Sequence, residues 1–101
     1  MAAAQAEALL AARQWGPALV SAVAELEEAV RDHAGVAGVS ISLAKLLRAP
    51  ALPIDRPLRD RLRRWVTMRN RYVHKGVDVA PLSARCAVAD VDRTLRALKS
   101  S

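Results

Sequence analysis

Three stretches of the chain place apolar residues at every third or fourth position, and each stretch is bounded by residues that start or stop helices. Trp15, Leu19, Ala22, Val23, Leu26 and Val30 form the first stripe, with Glu25, Glu27 and Glu28 turned outward. This predicts an amphipathic helix over 17–33, ended by Gly35 and Gly38. Leu58, Leu62, Trp65 and Tyr72, flanked by Val66 and Val73, predict a second over 56–75, with Asp55 as its cap and Gly76 as its stop. The third opens near Pro81, carries Ala84, Val88, Val91, Leu95 and Leu98, and frays at 99–101. Two weaker segments complete the chain. Residues 2–14 are Ala-rich, with high helix propensity and little packing content, and Gly16 and Pro17 bend or restart that helix. Ser40 or Ser42 caps a short helix with Leu43, Leu46 and Leu47, closed by the prolines of 49–53. With no strand pattern, repeat or low-complexity linker, the expected fold is all-α, an up-and-down bundle of four to five helices. Residues 1–16 form an Ala-rich N-terminal helix or extension, and 17–101 the helical domain.

A chain of 101 residues supports one domain with a modest core. There is no Phe, and the aromatics are Trp15, Trp65 and Tyr72, so Ala, Leu and Val do most of the packing; both tryptophans sit at stripe positions and read as core. Apolar content of 52% around so narrow a core leaves surface for a second copy or a protein partner. Cys86 is the single cysteine, which rules out an internal disulfide and a cysteine-rich structural zinc site, fits a reducing cytoplasm, and reads as an inert buried thiol. His33 reads as a helix cap. No secretion leader and no bilayer-length segment is expected, hence no membrane association. The net charge of +6 is unevenly spread: residues 1–33 carry five acids and two bases, so the remainder holds +9. A one-sided basic field favours a polyanion such as RNA, and a solvated Arg-rich surface is the competing account.

One position breaks the second stripe. At about 100° per residue, position 69 lies in the middle of the apolar face, and it is Arg. A guanidinium there needs an internal partner or a function. Arg59, Arg63, Asn70 and His74 form a neighbouring polar strip, with Asn70 and His74 one turn apart. Arg69 and His74, five residues apart, point about 140° from each other on a straight helix. A composite site between two copies, or loosening of the helix before Gly76, would bring them together.

Arg69-Asn70-Arg71-Tyr72-Val73-His74, late on a basic amphipathic helix followed by another helix, resembles the hallmark of the HEPN family (higher eukaryotes and prokaryotes nucleotide-binding): Arg, four to six residues, then His, commonly with a polar residue after the Arg. The order of the helices over roughly 17–99 is similar to that of small bacterial members. The resemblance implies a four-to-five-helix fold, a two-fold dimer with a composite site between the motif helices, and metal-independent endoribonuclease activity in toxin, phage-defence or RNA-processing roles. It also admits catalytically silent modules that bind RNA, nucleotide or a protein partner, and a cognate antitoxin is a further implied partner. Carried over by motif position, Arg69 and His74 are the catalytic pair and Asn70 supports them.

The residue chemistry agrees. Cleaving RNA without a metal needs a base for the 2′-hydroxyl, a cation for the phosphorane and an acid for the leaving oxygen. An ordinary imidazole titrates near pH 6.5, so two copies of His74 can divide acid and base roles while Arg69 grips phosphate as a bidentate fork. No cofactor is expected, and no clustered carboxylate or histidine set suggests a metal. Arg59, Arg63, Arg71 and Lys75 are candidates for the RNA backbone. A reading from another class is a helical adaptor in which Arg69 pairs with an acid such as Glu27 to fix the fold.

Overall fold

The computed structural model describes residues 4–36 and 38–100. The described residues contain five helices and no strand: α1 (Ala4–Ala11), α2 (Trp15–Ala34), α3 (Leu43–Leu46), α4 (Arg56–Lys75) and α5 (Pro81–Ser100). The expected all-α bundle is therefore observed. Residue 101 of the expected frayed end lies outside the described residues, and α5 stays helical to Ser100.

Local chemistry explains the boundaries. The Asp55 carboxylate accepts from the Leu58 N–H at 2.9 Å, occupying one of the orphan donors of the first turn of α4. Ser42, rather than Ser40, does the same for α3 through the Lys45 N–H. Helix α4 ends on Gly76 at φ 66°, whose N–H donates to the Tyr72 carbonyl while that of Val77 reaches Arg71. The break before α2 falls earlier than Gly16 and Pro17, at Arg13, a non-glycine residue at φ 57°. Gly16 and Pro17 instead lie in the first turn of α2, where a missing proline N–H leaves no intrahelical bond unmade.

Helix α2 is the hub, packing on α5, α1, α4 and α3. Leu19, Val23, Leu26 and Val30 of α2 meet Leu62 of α4, Leu47 and the Val88–Val91 face of α5 in one cluster, with each of these side chains at most 1% exposed. Helix α1 packs more than its composition suggests: Ala6 is buried in the same cluster, with Leu9 and Leu10 against it. An alanine face lets two helices approach closely.

Three polar ties orient the elements. The Asp90 carboxylate on α5 accepts from the Trp65 indole N–H at 2.8 Å and from the Arg61 guanidinium at 3.0 Å, bridging α5 to α4. Arg31 is held by Glu27 at 2.7 Å and donates to the Val39 and Ile41 carbonyls, fastening the α2–α3 connection. Arg59 donates to the carbonyls of Leu47, Ala49, Leu52 and Ile54, so one guanidinium organises the α3–α4 connection.

Two readings need correction. Cys86 is exposed, because Ala84, Ala87, Val88 and Val91 define the inward arc of α5 and Cys86 falls outside it. His33 is exposed in the last turn of α2, and the left-handed Gly35 closes that helix. Replacing Asp90 by Ala strands the buried Trp65 N–H, an expected loss of about 2 kcal/mol. Thermal unfolding followed by circular dichroism should then show a midpoint roughly 10 °C lower.

Candidate functional site

On α4 the face that points into the bundle is fully buried as far as Val66 and only partly covered beyond it, where Met68 and Tyr72 still pack against the core. Leu58, Leu62, Trp65 and Val66 are buried. One turn later the same face carries Arg69, half-buried, and then Val73, 51% exposed. Val77, just past the cap, and Leu82, in the first turn of α5, are 49% and 72% exposed. Three large apolar side chains between the end of α4 and the start of α5 are thus half or more exposed.

Arg69 makes no ion pair among the described residues; its Nε donates to the Asn70 side-chain oxygen at 2.8 Å. Glu27, its suggested internal partner, is engaged by Arg31 instead. Asn70 therefore positions the guanidinium of its own neighbour and leaves the other N–H groups for a ligand. His74 is exposed in the last turn of α4. The helix is regular through Lys75, so it does not loosen before Gly76, and a single protomer leaves Arg69 and His74 about 140° apart and roughly 7.5 Å apart along the axis. Asn70 and His74 do share a face, one turn apart.

Tyr72, inside the motif, is half-buried with its phenol ring packed directly on Gly16 at the start of α2. A Cβ at position 16 would overlap that ring, so the absence of a side chain is what admits Tyr72. The tyrosine thus pins the end of α4 to the beginning of α2.

The four basic candidates separate. Arg71 and Lys75 are exposed on the outer face and Arg63 is half-buried at its edge. Arg59 is not a free phosphate ligand: its guanidinium is spent on four loop carbonyls, an arrangement that helical spacing alone does not reveal. Arg61 is likewise engaged, and hydrogen bonding to Asp90 together with its negative charge raises its pKa. Among the described residues no group of three or more His, Cys, Asp or Glu side chains is arranged to hold a metal ion. No described helix is long and apolar enough to cross a membrane.

A second feature was hidden in the outward-facing acids of α2. Glu25 and Glu28 line two adjoining clefts, one of about 570 Å³ against α5 and one of about 760 Å³ toward α1 and Tyr72. One carboxylate oxygen of Glu25 is buried without a hydrogen-bond partner. Burial raises the Glu25 pKa, and the charges of Glu28 and Asp92 add to it. The sequence signal was the excess of acids in the first 33 residues.

No family model matches the chain, and neither the curated proteins nor the solved structures provide a match.

Separating a structural arginine from a surface one is direct. Arg59→Ala should lower unfolding stability by about 2 kcal/mol, since charge-assisted bonds to four carbonyls are lost. Arg71→Ala should stay within about 0.5 kcal/mol of wild type in urea denaturation.

Proposed function

We propose that the protein is a homodimeric, metal-independent endoribonuclease of HEPN type, with a toxin, phage-defence or RNA-processing role. The observation that carries this reading is the half-exposed end of the inward face of α4: Arg69 without a carboxylate partner among the described residues, one turn before Val73 at 51% exposure. A second copy laid against Val73, Val77 and Leu82 would cover that apolar surface and bring a second Arg69–Asn70–His74 set to the first. This supports the composite site that a single regular helix cannot supply.

In such a site one His74 takes the proton of the RNA 2′-hydroxyl, and the oxygen attacks the adjacent phosphorus. The second copy's His74 delivers a proton to the departing 5′-oxygen as the P–O5′ bond breaks. Arg69, held by Asn70, offers its remaining N–H groups to the phosphorane oxygens. The products are a 2′,3′-cyclic phosphate and a 5′-hydroxyl. Arg71 and Lys75, and Arg63 at the edge, track the RNA backbone. Arg59 drops out of that set.

The solvent-facing His74, turned away from Arg69 within one protomer, favours a second reading: a catalytically silent HEPN module that binds RNA, nucleotide or a protein partner, such as an antitoxin, through the same face.

Purified protein should cleave a structured RNA in excess EDTA and leave 2′,3′-cyclic phosphate ends. Arg69→Ala and His74→Ala should each reduce the rate at least about 100-fold. Equal cleavage by wild type and the His74 variant would remove the nuclease reading and leave the binding module. Sedimentation should give a dimer for wild type. Val73→Asp should yield a folded monomer that has lost cleavage with it.

A further inference from the structure

The two clefts that meet at Glu25 and Glu28 form one trough across the outer face of α2, and its chemistry is opposite to that of α4. Leu9, Pro17 and Val20 line one end, and Ala29, Leu95 and Leu98 line the other. The acids sit in the middle and along the rim: Glu25, Glu28 and Asp32, with Lys99 and His33 at the far margin. The trough is therefore two apolar depressions separated by carboxylates. An RNA surface cannot have this character, since a phosphate chain would be repelled.

We propose that this trough is the docking site for a basic amphipathic helix of a partner protein, whose apolar side chains enter the two depressions while Lys or Arg residues between them pair with Glu25 and Glu28. Charge complementarity selects the occupant. The whole chain carries +6, so a cationic segment is repelled by most of the surface and attracted to this stretch of α2. The buried Glu25 oxygen that lacks a hydrogen-bond partner is the group such a cation satisfies. A helix sitting on a helical groove with apolar anchors at spacings of about three, four and seven residues is an established mode of peptide recognition. The exposed outer strip of α4, Asp60, Arg64, Thr67, Arg71 and Lys75, has no apolar side chain to fill the depressions, so a second copy does not fit through that face. The inference stands apart from the Arg69–His74 chemistry, although Tyr72 at one end of the trough places the partner beside the motif helix.

The test uses a synthetic Leu- and Lys-rich amphipathic peptide of about 18 residues, together with its counterpart in which every Lys is Glu, titrated calorimetrically into the full chain. The Lys peptide should bind with a Kd on the order of 10 µM and the Glu peptide should not bind. The double variant Glu25→Gln/Glu28→Gln removes only charge, and it should weaken binding at least about tenfold. Ala29→Lys, which places a cation on the floor of the trough, should abolish it. Circular dichroism establishes that each variant is folded. Failure of the Lys peptide to bind, equal binding of both peptides, or undiminished binding by the double variant would overturn the proposal. Self-association of the free protein that the double variant abolishes would also overturn it and assign the trough to a second copy.

Discussion

The carboxylate of Asp90 fixes how α4 is rotated, and the remaining features of that helix follow from the rotation. It accepts from Trp65 and Arg61, residues four apart on one side of α4, so the helix cannot turn about its axis without breaking both bonds. One turn beyond Trp65 the chain reaches Arg69. With the rotation set, Arg69 must point along the direction the core occupies earlier in the helix, at a level where Met68 and Tyr72 pack against the core only in part. Arg69 as a residue is half-buried there, and the apolar residue after it on the same face, Val73, is 51% exposed.

Helix boundaries were legible in the sequence because they are written in local chemistry. Asp55 and Ser42 accept from backbone N–H groups three residues on, and Gly35 and Gly76 adopt left-handed geometry, all within a few residues of the ends they define. The inward stripes of α2 and α5 were legible by period. Long-range pairings were not. Asp90 reads as one more polar residue on α5, and Arg59 as one more base on α4, until the fold brings Trp65 to the first and four carbonyls to the second. Cys86 was misread because an apolar residue type was taken for an inward position, although the period of α5 places it outside the buried arc. The candidate site was legible as residues but not as an arrangement: the sequence marked Arg69, Asn70 and His74, while the Arg69–Asn70 contact and the bareness of Val73 depend on where the bundle ends.

The charge asymmetry of the sequence becomes a spatial division in the structure. Four of the five acids of the first 33 residues lie along α2, with Glu7 on α1, and Arg31 neutralises one of them, Glu27, in holding the next connection. Glu25 and Glu28 remain on a trough with apolar ends. Of the bases of α4, Arg64, Arg71 and Lys75 face outward, whereas Arg59 and Arg61 are consumed by structure. A domain with a modest core thus presents two surfaces of opposite sign, an acidic one along α2 and a basic one along the outer face of α4.

The seat of Tyr72 on Gly16 has a mechanical meaning. A ring resting on bare backbone has no intervening side chain whose rotamers could absorb a displacement. Through that contact the first turn of α2 meets the C-terminal part of α4. Any side chain at position 16 would have to displace the ring, and with it the contact between the first turn of α2 and the turns of α4 that carry Arg69 and His74.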